Sequence, residues 1–512
     1  MKFDPQTLPG DVAPCHALIA ELALKLESQS REVRLLRHEL EKLLRWRYGA
    51  KREWVDPNQL FLYAAAVMVT AKGEAQVKPP EESPKPPRPG HGRRRLPPTL
   101  ERRRVEHDLG AEERTCPECR EALRPIGEEV SERLEYVPAS LVVVQDVCRK
   151  YACPKGCTVV TASKPMQPIE KGLPGPGLLA HVAVSKYADH QPLYRQEEML
   201  ARQGVSLSRR TMAGWMGQSA ELLNPLYEKM KEAVLASKVI QTDDTPVGVL
   251  DPDLNRTRTG RIWTYVGDGG HPYTVYDYTP DRSRDGPVAF IGDYRGYLQA
   301  DAYPGYDAIY KASGVTEVAC WAHTRRKFFE AQSSDLKRST IMLAHIRLLY
   351  DVEREARDLA LDSAGRLALR QEKSVLILKD IEIYLRSEQP QVLPKSPEGQ
   401  AIAYTLSNWP ALLRYCQDGD LEIDNNGAER SLRGIAVGRN NWMFFGSDNG
   451  GRTAAILTSF TTTCKRLAID PFVYLRDIFG RISAHKHSEL AALLPDKWKE
   501  VRAAQTPSLA IA

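Results

Sequence analysis

Three acidic side chains stand where an acid is expensive. Asp243 follows the largely apolar run Val239-Ile240-Gln241-Thr242 and precedes Asp244-Thr245-Pro246. Asp301 follows Gly296-Tyr297-Leu298-Gln299-Ala300 and precedes Ala302-Tyr303-Pro304-Gly305-Tyr306. Glu429 lies in Asp424-Asn425-Asn426-Gly427-Ala428-Glu429-Arg430-Ser431-Leu432-Arg433, at the edge of an apolar face made by Ala428, Leu432 and Ile435. A carboxylate in apolar surroundings is costly unless a cation neutralises it. Carboxylates brought together from two strands and a helix would bind two hard cations, which at roughly 3.5–4 Å apart clamp an in-line phosphoryl transfer. Magnesium, or manganese in its place, suits such an all-oxygen site. Aspartates are common on surfaces, and spacing alone leaves the plain structural reading of these three open.

A second set of ligands is sulfur. Cys116-Pro-Glu-Cys119 and Cys153-Pro-Lys-Gly-Cys157 are two tight-turn pairs. Four thiolates on two such turns make a closed tetrahedral site for structural zinc. A redox pair would leave the other two cysteines unexplained.

These residues need elements to carry them. Val239–Leu250, Gly260–Val266, Tyr273–Tyr278, Gly296–Ala300 and Glu317–Trp321 read as strands, and Asp424–Ile435 as a helix capped by Asp424 or Asn425. Residues 335–390 are charged, leucine-rich and helical. The pattern predicts a mixed α/β layer. Upstream, Pro192–Gln203 reads as a helix, Gly204 as a turn and Ser208 as the N-cap of the next helix, over which Arg209 and Arg210 open. That order fits a helix-turn-helix, and equally two core helices. Ile19, Leu26, Val33 and Leu40, with Leu22, Gln29, Leu36 and Leu43 at the offset positions, form an a/d heptad pattern that predicts a coiled coil and a homo-oligomer. Prolines between Pro79 and Pro98 mark a linker, and its Arg93–Arg95 and Arg102–Arg104 could meet phosphates or remain solvated.

The chain has 512 residues and a net charge of +5, which calls for several domains and says little about partners on its own. No run of 18 or more apolar residues is present and no secretory signal is visible, so a soluble, cytoplasmic protein without a membrane partner is expected.

Taken together, Asp243-Asp244-Thr245-Pro246, Leu298-Gln299-Ala300-Asp301-Ala302-Tyr303, Cys320-Trp321-Ala322-His323-Thr324-Arg325-Arg326-Lys327-Phe328 and Asp424 to Arg430 resemble the large transposase of the IS66 insertion-sequence family. The resemblance extends over nearly the whole chain. It implies an RNase H-like catalytic domain whose DDE triad falls on Asp243, Asp301 and Glu429, a bacterial protein associated with the nucleoid when bound to DNA, double-stranded DNA as partner, and small accessory proteins of the same element. It departs from the family pattern at Asp244, where glutamate is usual, which leaves open whether Asp243 or Asp244 faces the metal. Cys320 and His323 are similar to a Cys-x-x-His motif of several DDE groups; a buried cysteine and a structural histidine are the plain alternative. His323, Arg325, Arg326, Arg433 and Arg439 join Arg209 and Arg210 as candidates for DNA contact, and Arg433, one turn after Glu429, could instead pair with it.

The expected organisation is a coiled coil at 12–50, a linker at 76–105, a zinc module at 106–165, a helical DNA-binding region at 173–235, a catalytic domain at 236–465 with a helical insertion at about 335–400, and a helical segment at 466–500. The expected activity is metal-dependent DNA cleavage and strand transfer. A non-catalytic DNA-binding regulator and an RNase H-like nuclease without strand transfer are the rival readings.

Overall fold

The computed structural model describes residues 166–505, apart from 171, 252, 254, 255, 312 and 313, together with 141, 143, 144, 146, 150–152 and 159–161. The expected coiled coil, linker and zinc ligands Cys116, Cys119, Cys153 and Cys157 lie outside the described residues. In the unit Glu74–Ala162, the strands β1 (Lys150–Ala152) and β2 (Val159–Thr161) pair antiparallel.

In the larger unit, α1 (Pro176–Tyr187) starts with a proline in its first turn, where the missing N–H costs nothing. α2 (Leu193–Arg202) ends at Gly204, whose φ of +81° places it in the left-handed region that glycine tolerates. Ser208 Oγ then accepts from Thr211 N–H at 3.1 Å and starts α3 (Arg209–Leu235), so the helix–glycine–helix order read from the sequence is present. α3 is 27 residues long and buries Met212, Trp215, Met216, Leu223, Leu226, Met230 and Val234. These side chains share one apolar core with Ile240, Trp263, Tyr265 and Val275 of the sheet, and with Phe460, Tyr474 and Leu475 near the C-terminus. The helices over 173–235 therefore pack as part of the same body as the strands.

β3 (Val239–Asp251), β4 (Arg256–Val266) and β5 (Thr274–Thr279) form an antiparallel meander. After α4 (Asp285–Ile291), β6 (Gly296–Ala300) joins β3 in parallel; after α5 (Asp307–Lys311), β7 (Val315–Ala319) joins β6 in parallel. The order is β5-β4-β3-β6-β7. Alternate residues on a strand face opposite sides. Ile240, Trp263, Tyr265 and Val275 enter the core shared with α3, whereas Val239, Val247, Val249, Ile262 and Tyr276 enter two other clusters.

One of those clusters belongs to α6 (Trp321–Ala331), α7 (Leu336–Asp358), α9 (Val375–Glu388), α10 (Pro397–Ser407) and α11 (Trp409–Leu413); α8 (Ser363–Leu369) and a π turn (Arg370–Ser374) link α7 to α9. The helical stretch thus continues past residue 400 to Leu413, because Ile402, Leu412 and Tyr415 complete the core begun by Phe328, Met342 and Ile346. Arg370 is buried in it and makes two 2.7 Å bonds to Glu353, with a third at 2.8 Å to the Tyr415 carbonyl. The other cluster joins β3, β4 and β5 to α12 (Asn426–Trp442) and α13 (Asp448–Arg466), with β8 (Phe444–Phe445) pairing the far end of β3. α14 (Pro471–Arg481) and α15 (Pro495–Gln505) are the last described helices, so helix continues beyond the expected end at residue 500. Among the described residues no helix is long and apolar enough to cross a membrane.

Candidate active site

β3 and β6 are locked side by side at Gln241 and Gln299, which are register partners. Gln241 Nε2 donates to Gln299 Oε1 at 3.2 Å and lies 3.4 Å from the Asp424 carbonyl; Gln299 Nε2 donates to the Glu422 carbonyl at 2.7 Å. The two glutamines therefore hold the segment that leads into α12 against the sheet. Two residues further along come Asp243, on the same face of β3, and Asp301, directly after the end of β6. α12 passes close over this face because Gly427 has no Cβ: one placed there would lie 2.3 Å from Gln241 Oε1. Asn425, fully buried, donates from Nδ2 to the Thr242 carbonyl at 3.2 Å and from its backbone N–H to Cys320 Sγ at 3.4 Å. This sets the first turn of α12, and Glu429 with it, beside the aspartates.

Burial pushes the Asp243 carboxyl up to about 7, and the charges of Asp301 and Glu429 add to the shift, while the Asp244 N–H donated to Asp243 Oδ1 at 2.8 Å opposes it. Asp301 is also raised by burial, against the pull of His323. His323 is held below its ordinary value by burial, with Glu429 and Asp301 acting in the other direction; its Nε2 lies 3.7 Å from Glu429 Oε1. Glu429 Oε1 is buried without a hydrogen bond. The site is thus a concentration of buried carboxylates, opposed at Asp301 by the charges of His323 and Arg282.

Asp244 has a different environment. It receives Arg261 Nη1 at 2.9 Å and Arg282 Nη2 at 2.8 Å, and its side chain is 3% exposed. Arg261 alternates with Trp263 and Tyr265 on the face of β4 that meets α3, so Asp244 lies on the sheet face opposite Asp243. Its charge still reaches Asp301, where Arg282 opposes it. Two guanidiniums satisfy Asp244, whereas Asp243 has none among the described residues.

The candidates for DNA contact separate into groups. Arg209 and Arg210 are exposed in the first turn of α3. Arg325 and Arg326 line a small cavity with Tyr350, Asn426 and Glu429 next to the acidic site. Arg433 is exposed and makes no ion pair among the described residues; the partner of Glu429 is His323. Arg439 is committed to the fold, since Nη1 donates to Thr245 Oγ1 at 3.0 Å and to the Pro246 carbonyl at 2.8 Å, pinning α12 to β3. The sequence reading passed over Gln241, Gln299, Tyr350, Arg261 and Arg282, and gave Asn425 only the role of a candidate helix cap. Tyr350 OH donates to Asp424 Oδ2 at 2.8 Å, and the Arg282 guanidinium stacks over Tyr303 at 4.1 Å. The glutamines had a signal, each standing two residues before an acid in a strand; Tyr350 and Arg282 had none.

Acids from neighbouring strands of a mixed sheet, with a third from a helix across it, define the site of a mixed α/β protein. Residues 171–453 match the family described as Transposase IS66 family. Residues 113–156 match the zinc-finger binding domain of transposase IS66, 35–105 a domain described as Transposase C of IS166 homeodomain, and 459–495 the IS66 C-terminal element. The chain belongs to the IS66 transposase family. Three relatives come from Sinorhizobium fredii: the uncharacterized protein y4hP, 34% identical over 76% of this chain and 74% of its own; y4qI, 37% identical over 73% and 72%; and y4jD, 31% identical over 94% and 97%.

Proposed function

We propose that this chain is a DDE transposase that binds the ends of its element and cuts and joins DNA, with Asp243, Asp301 and Glu429 as the acidic triad. The observation that carries this reading is the register. Gln241 pairs with Gln299, so two residues further along come Asp243, on the same face of β3, and Asp301, directly after the end of β6. The strand order β5-β4-β3-β6-β7, three antiparallel strands followed by two parallel ones, supports an RNase H-like fold with α6–α11 as its insertion. The residues fit a hard divalent ion: Asp243 is buried without a cationic partner among the described residues, and Glu429 Oε1 is buried without a hydrogen bond among them. Mg2+ or Mn2+ held by the three carboxylates would supply charge neutralisation at a scissile phosphate and activation of the attacking oxygen.

The protein's own groups do the rest. Gln241, Gln299 and Asn425 fix the spacing of the acids. Arg261 and Arg282 pair with Asp244 on the opposite face of the sheet. Arg325, Arg326 and Arg433 lie where a DNA backbone would approach, and Arg209 and Arg210 stand at the start of a helix behind a glycine turn, as a helix-turn-helix requires. Cys116, Cys119, Cys153 and Cys157 would hold structural zinc, and residues 12–50 would pair copies so that two element ends meet. Double-stranded DNA is the partner, with small accessory proteins assisting, in the bacterial cytoplasm.

The test is Mg2+-dependent cleavage and strand transfer on DNA carrying the element's ends, comparing wild type with Asp301→Ala and Glu429→Ala. Variants that fold and bind DNA but neither cut nor join are expected. Activity at the wild-type level in either variant overturns the triad. Cleavage without joining in the wild type favours a nuclease, and binding without either favours a regulator.

A further inference from the structure

A thiol, an imidazole and a carboxylate converge beside the acidic triad. Cys320 is the N-cap of α6 and His323 lies in its first turn, one turn apart on the same helix end. Glu429 comes from the first turn of α12. One ligand atom from each lies within 4.8 Å of the others. The separations suit a single ion, because sulfur and nitrogen ligands about 2.3 and 2.0–2.1 Å from zinc stand some 3.5 Å apart. Two further observations point into the same place. Glu429 Oε1 and His323 Nδ1 are both buried without a hydrogen bond, and a buried polar atom left so is destabilising. Cys320 is a free thiol, 1% exposed, whose sulfur already accepts the Asn425 N–H.

We propose that Cys320, His323 and Glu429 form a binding site for a borderline divalent ion of the zinc type, distinct in ligand chemistry from the all-carboxylate site. Sulfur and imidazole select zinc or cobalt over magnesium, which takes oxygen. Three protein ligands leave a fourth position for solvent, which the neighbouring cavity lined by Ala322, Arg325, Tyr350 and Asn426 can admit. Binding releases the thiol proton to solvent. The ion would tie the N-terminal ends of α6 and α12 together and fix one carboxylate oxygen of Glu429. The proposal shares Glu429 with the triad but does not require it to be catalytic.

The test uses the full chain, first loaded with Zn2+ at Cys116, Cys119, Cys153 and Cys157 and freed of loosely held metal, then titrated with Co2+. A further equivalent of Co2+ with a thiolate-to-cobalt charge-transfer band is expected. Cys320→Ser should remove that band, and His323→Gln should weaken Co2+ binding at least tenfold. Circular dichroism and the melting temperature establish that each variant is folded; where Cys320→Ser is not, His323→Gln, at a side chain 20% exposed, decides alone. Asp301→Asn lies outside the ligand set and should keep the band, whatever it does to cleavage. Lost cleavage with the band retained in Asp301→Asn supports both sites; retained cleavage overturns the triad and leaves this one standing. No further band in the wild type, or a band that survives Cys320→Ser, overturns the proposal and leaves a buried thiol beside a His–Glu pair.

Discussion

Asp243 and Asp244 are neighbours in sequence with opposite electrostatics. Asp244 faces two arginines, and Asp243 faces two other acids. The sign of the consequence is definite. The folded state holds the Asp243 proton up to about 7, well above the ordinary carboxyl value of 3.8. The native state therefore binds more protons than the unfolded one between these values, and stability present below about pH 4 is lost as pH rises toward 7. The difference is worth up to about 4 kcal/mol at 1.36 kcal/mol per pH unit. In metal-free protein, Asp243→Asn should raise the melting temperature at pH 8 and change it little at pH 4; equal shifts at both values would contradict the burial of this charge. Mn2+ should stabilise wild type more at pH 8 than at pH 5.5, because the ion competes with that proton, and the increment should vanish in Asp243→Asn. Differential scanning calorimetry at the two pH values measures both.

At the scale of elements, the site depends on how closely α12 crosses β3. Gly427 permits the approach, and the Gln241 side chain it meets cannot simply turn away, because it is bonded to Gln299 and to the Asp424 carbonyl. Gly427→Ala should cost about 1–2 kcal/mol in lost hydrogen bonding and reduce cleavage more than it reduces DNA binding. Gly434 lies two turns further along the same helix, where an added Cβ meets only His190 Cε1 at 3.7 Å. Gly434→Ala should leave activity unchanged and be neutral or stabilising by up to about 1 kcal/mol. Urea unfolding of the two variants side by side checks the contrast; equal destabilisation would show that helix geometry, and not the crossing, decides. Asn425→Ala should cost about 1–3 kcal/mol, since its Nδ2 bond to the Thr242 carbonyl is lost within a buried site.

At the scale of the molecule, α1–α3, the sheet and α13–α14 share a single apolar core. A chain cut between residues 235 and 236 would expose Met212, Leu223, Leu226 and Met230 on one side, and Ile240, Tyr265 and Val275 on the other. A fragment spanning 236–465 should therefore be insoluble or lack a cooperative melt, whereas 166–505 should melt in one transition. Soluble, cooperatively folded 236–465 would refute the shared core. Within the helix–glycine–helix segment, Arg209 and Arg210 are exposed in the first turn of α3, while the apolar side of the helix is buried in this core.

Local pattern sufficed for much of this. Alternation and turn residues marked the five main strands to within a few residues, because each has an apolar face that repeats every second position. Gly204 and Ser208 marked a helix boundary through backbone conformation and capping, which are local effects. The acids of the site stood out because they interrupt apolar runs. Whether Asp243 or Asp244 joins the other acids depended on the β3–β4 and β3–β6 pairings, which bring Arg261 to one face and Asp301 to the other. Arg439 and Arg433 look alike in sequence, yet only the crossing of α12 over β3 ties the first to Thr245 and leaves the second exposed. The same holds for Cys320, His323 and Glu429: a separation of more than a hundred residues carries no distance, and only the meeting of two helix N-termini makes them a site.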